Sequence, residues 1–229
     1  MNDTEMKYKI VEFGSLSQEE RQTRAEEIAK ITQEEPKMLS LSPQEVLDKE
    51  YLAFLVEKAT DKVVSLVAIS EPILNSQGRA IGEIGTMYTV PDHRGQGLAH
   101  ILREHAENWA RESEDYDGLC AFLCEESIRI FAEAGYSSKN ATKVLPDNYF
   151  ELCLDHCYLH EGAEDETSDL TEKVKISQAR IRKIERYEAW LDYYESKDDE
   201  VSKKCLEILK DSSKRAHLCC SVPVYLFLW

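Results

Sequence analysis

Apolar and polar residues alternate over Lys-Tyr-Lys-Ile-Val-Glu-Phe at positions 7–13, the pattern of a strand with one buried face. From Ser17 the period lengthens. Ser17 with Glu20 forms a capping-box pattern, and Ala25, Ile28 and Ala29 supply a helical stripe that Pro36 closes. Ser42, Pro43 and Glu45 open a second helix with Val46 and Leu47 facing inward. Strands are predicted at Ala53–Lys58 and Val63–Ile73 around the turn Ala59-Thr60-Asp61-Lys62, and Asn75-Ser76-Gln77-Gly78 leads into a third. Residues 51–90 thus read as a three-stranded antiparallel meander. Leu98, Leu102, His105 and Trp109 then share one face of a helix running to about Glu112, which makes His105 a packed core histidine. Leu119–Leu123 reads as a short buried strand and Glu125–Ala134 as a helix closed by Gly135. Two further strands are expected, at Ala141–Leu145 and Tyr149–Leu154, flanking Pro146-Asp147-Asn148. The order β-α-α-β-β-β-α-β-α-β-β predicts an α/β (α+β, mixed-sheet) domain over residues 1–155.

Beyond it the pattern changes. Residues 156–172 form an acidic linker, and 173–229 read as a helical hairpin with an apolar C-terminal tail. Ile181, Ile184, Tyr187 and Leu191 mark the first helix of that extension, and Val201, Cys205 and Ile208 the second; Val222–Trp229 reads as a strand or a docking tail. The extension offers a surface for a protein partner or a second copy of the chain.

Composition narrows the partners. Across 229 residues, 44 acidic side chains against 28 basic ones leave a net charge of −16, which disfavours nucleic acid and anionic membranes and favours cationic partners. No apolar run reaches membrane-spanning length, and no secretory pattern opens the chain. Seven cysteines, an odd number, fit reduced thiols in the cytoplasm better than a disulfide framework. Cys153, Cys157 and His160 with Cys219 and Cys220 lack the spacing of a zinc knuckle, so no metal is expected.

The chemistry concentrates in Glu83–Ala99. A strand rich in β-branched and aromatic residues (Ile84, Thr86, Tyr88, Thr89, Val90) stops at Pro91-Asp92, and Arg94, Gly95 and Gly97 form a glycine turn before a helix starts at Leu98. Such a turn lets backbone N–H groups approach an anion closely at the positive end of the helix dipole. The spacing matches neither GxxxxGK[ST] nor GxGxxG. Arg94-x-x-Gly97-x-Ala99 instead resembles the pyrophosphate-binding Gln/Arg-x-x-Gly-x-Gly/Ala motif of the GCN5-related N-acetyltransferases. Ile130-Phe131-Ala132-Glu133-Ala134-Gly135-Tyr136 is similar to that family's Leu-Tyr-x-x-x-Gly-Phe segment, in the right order and at the right separation.

The resemblance, which covers residues 7 to about 155, implies the acyl-CoA N-acyltransferase fold and acetyl-CoA as cosubstrate. It places the diphosphate on Arg94, Gly95, Gln96, Gly97, Leu98 and Ala99, and the pantetheine arm on the backbone of Met87, Tyr88, Thr89 and Val90. Cys124 stands where many relatives have an asparagine near the pantetheine. Glu83, eleven residues before Arg94, matches the offset of the catalytic glutamate in one branch of the family. Burial in an apolar strand would raise its pKa towards neutrality and suit it as general base; a solvent-facing carboxylate at a strand end is the alternative. Phe131 replaces the usual tyrosine acid and cannot donate a proton. The implied function is N-acetyl transfer from acetyl-CoA to an amine, either a small cationic amine or a protein's lysine or N-terminus. The alternative is a catalytically weak acyl-CoA-binding or protein-interaction module of the same fold.

Overall fold

Residues 7–35, 40–123, 125–139, 144–145, 191–212 and 222–228 are described by the structure, a computed structural model. The elements run β1 (Tyr8–Glu12), α1 (Gln18–Glu34), α2 (Pro43–Leu47), β2 (Tyr51–Glu57), β3 (Lys62–Ile69), β4 (Ile73–Leu74), β5 (Ala80–Thr89), α3 (Leu98–Glu112), β6 (Gly118–Leu123), α4 (Glu125–Glu133), α5 (Glu200–Ser212) and β7 (Val222–Phe227). This is a mixed α/β fold. It divides into two compact units, residues 1–73, 82–119 and 228–229 in one and 74–81 with 120–227 in the other.

In the first unit β1, β2, β3 and the main part of β5 pair antiparallel in that order. Local sequence explains the flanking helices. The predicted capping box of Ser17 with Glu20 forms on α1, and at the predicted start of α2 Ser42 and Glu45 form a second. Ala25, Ile28 and Ala29 of α1 and Val46 of α2 join Leu52, Phe54, Leu66 and Ala68 in one buried cluster. The alternate residues of β2 face the other way, where Tyr51 stacks on Trp109 of α3 with ring centroids 4.2 Å apart. A strand covered on both faces loses its polar alternation, which is why β2 is buried from Tyr51 through Val56. His105 differs from expectation: its side chain is 31% exposed and its Nε2 lies 3.0 Å from Glu12 Oε1.

In the second unit β7 pairs with β6, and an antiparallel bridge joins Tyr225 to Ser137, each N–H donating to the other's carbonyl at 2.9 Å. The Tyr225 hydroxyl also donates to the Lys139 carbonyl at 2.9 Å. α5 buries Cys205, Ile208 and Leu209, and the Ser138 hydroxyl donates to the Ile208 carbonyl at 2.9 Å. Among the described residues the sheet ends at Val222–Phe227, which takes the strand alternative of the two expected there. Val144, predicted within a strand, is helical and buried. The strand expected at Tyr149–Leu154, the linker and most of the first extension helix lie outside the described residues, within which residues 191–195 are helical.

Candidate functional site

β5 carries the irregularity on which the site is built. Its register against β3 shifts between Leu66 and Ala68, so two residues, Thr86 and Met87, stand opposite Val67 alone. Thr86 takes a left-handed φ of 50° to make this bulge. In a regular strand Gly85 and Tyr88, an odd number of residues apart, would lie on opposite faces. With the bulge, both lie on the face shared with their partners Ala68 and Leu66, the face covered by α1 and α2. Glu83 alternates onto that face too.

Glu83 is partly buried there. Its backbone is pinned on both sides, its N–H donating to Ser70 Oγ and its carbonyl accepting from the Ser70 N–H, each at 2.9 Å. A methyl group on Gly85 would sit 3.3 Å from Glu83 Oε1, so the carboxylate lies over the glycine. Burial pushes the Glu83 carboxyl above the usual carboxylate range, and the Lys49 ammonium pulls it partway back. The side chain is therefore half-buried and not fully solvated.

Downstream, the strand's N–H groups divide by direction. The Val90 N–H donates to the Val64 carbonyl at 2.9 Å, so it belongs to the ladder. Alternation then points Tyr88 toward β3 as well, and Thr89 away from it. The Thr89 carbonyl accepts from Arg94 Nε at 2.9 Å, and its hydroxyl lies 2.8 Å from Ser65 Oγ.

After a short 3₁₀ turn, Pro91–His93, the chain reaches Gly95 and Gly97, both left-handed at φ of 74° and 75° with open space where a Cβ would stand. Glycine is needed here for conformation, not for room. Gly97 caps α3 without a side-chain acceptor, and the N–H groups of Gly95, Gln96, Gly97, Leu98 and Ala99 find no acceptor among the described residues. Five unspent donors at a helix N-terminus suit a diphosphate. The Arg94 guanidinium does not extend toward this cradle. It folds back onto the Thr89 carbonyl, lies over the Tyr88 ring at 5.5 Å, and pairs with Glu35 at 3.4 Å.

Two side chains outside the motif hold the turn. Tyr8, the first residue of β1, donates its hydroxyl to Gln96 Oε1 at 2.8 Å and lies 2.9 Å from His93 Nδ1. Glu35, just past α1, holds Arg94 and also approaches the Tyr88 phenol. Both are 59 or more residues away in sequence, so nothing local could announce them. In the second unit Phe131 is a core residue, edge-on to Tyr136 at 4.8 Å. Cys124, expected near the pantetheine, lies outside the described residues, as do Cys153, Cys157, His160, Cys219 and Cys220.

Among solved structures, an acetyltransferase from Trypanosoma brucei aligns at 18% identity over 56% of this chain and 91% of its own, with a TM-score of 0.42. A GNAT-family acetyltransferase from Streptococcus pneumoniae aligns at 16% identity over 56% of this chain and 84% of its own, with a TM-score of 0.45. A GNAT-family N-acetyltransferase from Escherichia coli, solved in complex with CoA, aligns at 15% identity over 57% and 69%, with a TM-score of 0.43. No curated protein sequence matches. The model of the Acetyltransferase (GNAT) family matches residues 15–136, which takes in the bulged strand, the glycine turn and α3. Since that match spans more than half of the sequence, the chain belongs to the GNAT acetyltransferase family.

Proposed function

We propose that this acetyltransferase moves the acetyl group of acetyl-CoA to a primary amine, with Glu83 taking up the ammonium proton. The observation that carries the reading is the pairing, on one strand and the turn that follows it, of a carboxyl raised by burial with five unspent N–H donors. The donors of Gly95 to Ala99 bind the diphosphate and so fix the thioester along β5. The Thr89 N–H, directed away from β3, and the backbone of Met87 pair with the pantetheine amides. Bound this way, the thioester supplies an activated acyl carbon. An amine attacks it only as the free base, which is why a carboxylate with a raised pKa is useful. A carboxylate whose pKa is raised above the usual range accepts the proton more readily than an ordinary one.

No proton donor stands at Phe131, so the departing thiolate leaves without a phenol from that position; a thiol of pKa near 8–9 tolerates this. The surplus of acidic residues supports a cationic acceptor such as a polyamine, a lysine side chain or a basic peptide. Cys120 and Cys205 are both buried. No helix among the described residues is long and apolar enough to cross a membrane.

The test is thiol release from acetyl-CoA in the presence of spermidine, Nα-acetyl-lysine or a lysine-rich peptide, for wild type and Glu83→Gln. Turnover that falls by about 10²–10⁴ in the variant, with CoA affinity kept, supports the assignment. Undiminished turnover in the variant refutes Glu83 as base. CoA binding with no turnover for any amine favours the binding-module alternative.

A further inference from the structure

We propose that Tyr8 is a positioning residue for the CoA diphosphate, acting through the side chains of Gln96 and His93. The inference rests on the assignment of Gly95–Ala99 as the diphosphate site. The sequence motif assigns the turn's conformation to its glycines, yet glycines permit a left-handed backbone without enforcing it. Gly95 and Gly97 have no neighbour within 4 Å of where a Cβ would be, so packing does not hold them in place. Something else must hold the turn that carries the five N–H groups before an anion arrives.

Tyr8 is the group placed to do so. Its ring is buried to 4% exposure at the start of β1, where Tyr8 pairs with Glu57 of β2, so the sheet fixes its position. Its hydroxyl reaches the side chains on either side of the Arg94-Gly95 corner, Gln96 at 2.8 Å and His93 at 2.9 Å. The His93 ring also stands edge-on to the Tyr8 ring, with centroids 5.8 Å apart. Proton bookkeeping sets the roles. A phenol has one proton, and it goes to the Gln96 carbonyl oxygen, so His93 must donate its Nδ1 proton to the phenol oxygen. The three groups form a directed chain from His93 through Tyr8 to Gln96, across a corner whose own residues supply no side-chain cap. One buried oxygen thereby orients both flanks of the cradle. The Gln96 side chain is tied down, which leaves its backbone N–H aimed at the ligand.

Tyr8→Phe removes that oxygen and little else. Calorimetric titration with CoA tests the proposal on wild type, Tyr8→Phe, Gln96→Leu and the double variant. The expected result is a loss of about tenfold in CoA affinity for Tyr8→Phe and severalfold for Gln96→Leu. The double variant is expected to lose little more than Tyr8→Phe alone, because both substitutions break the same bond. A purely structural tyrosine would lower Tm while leaving this coupling absent. Wild-type CoA affinity in Tyr8→Phe, or losses that multiply in the double variant, overturns the proposal. Should Tyr8→Phe fail to fold, unchanged affinity in Gln96→Leu overturns it by itself. A wild-type protein that does not bind CoA overturns the diphosphate assignment first, and the role of Tyr8 with it.

Discussion

Two adjacent positions on β5 show how much rests on single side chains. Glu83 is more readily protonated in the folded protein than in the unfolded chain, because burial disfavours its charge. Below the ordinary carboxylate pKa, about 4.3, both states are protonated and Glu83 costs nothing. As pH rises through the raised value the folded protein must ionise a buried group, so wild type loses stability over that window. Glu83→Gln has no such window. Thermal scans are therefore expected to show the variant more stable than wild type near neutrality, the gap closing by about pH 4. The rate has the opposite sign: a base must be ionised, so wild-type turnover climbs across the same range, and the variant lacks that limb. A wild-type profile that stays flat down to the ordinary carboxylate pKa, about 4.3, would contradict the raised pKa. One residue earlier the constraint is steric. A Cβ on Gly82 would lie 2.5 Å and 2.8 Å from Cε1 and Cδ1 of Tyr116 and 3.2 Å from Ile69 Cγ2. Tyr116 has no room to yield, its hydroxyl donating to the Ser70 carbonyl at 3.1 Å and its ring set edge-on to Trp109 at 5.5 Å. Gly82→Ala should cost about 1–3 kcal/mol, read as a lower urea midpoint at unchanged slope.

At the scale of elements, the sequence announced what is encoded within a dozen residues. The capping box at Ser17, the helix start at Ser42 and the glycine turn each arise from neighbours in the chain and formed as read, whereas the stripe of α3 runs through Leu98, Leu102, Ala106 and Ala110 and leaves His105 at its margin. What stayed hidden depends on partners far away. The bulge at Thr86 and Met87 is a mismatch between two strands, visible only once β3 and β5 are paired. Arg94 is the instructive case, since its motif position suggests a phosphate ligand while its side chain clasps the strand exit. The Thr89 carbonyl, the Tyr88 ring and Glu35 together use its donor fork and its flat face. Lysine offers one point charge in place of both. Arg94→Lys is thus expected to lose about as much thermal stability as Arg94→Ala, on the order of 1 kcal/mol. A lysine that fully restored Tm would show that charge alone matters at this site.

The whole molecule answers a question of boundaries. The motif-bearing core, the predicted hairpin and the acidic linker suggested a domain complete by residue 155, but pattern alone does not say which strand pairs with which. Val222–Phe227 had the apolar character of a strand, and the structure seats it beside β6 and against Ser137, 88 residues before Tyr225. A chain ending at residue 155 keeps the family match at 15–136 and every candidate site residue, yet loses β7. Its β6 would then present an unpaired edge, with backbone donors and acceptors lacking the partners that β7 supplied. Chains ending at 155 and at 221 are both expected to lose the cooperative thermal transition of the full-length protein and to aggregate. The shared outcome matters, because the two truncations differ by 66 residues and have in common the absence of β7. If the 155-residue chain melted cooperatively at the full-length Tm and bound CoA equally well, β7 would be an accessory strand and the boundary at 155 would stand. If only the 155-residue chain failed, the requirement would lie between 156 and 221. Failure of both assigns the last strand of the catalytic fold to the chain's C-terminal end.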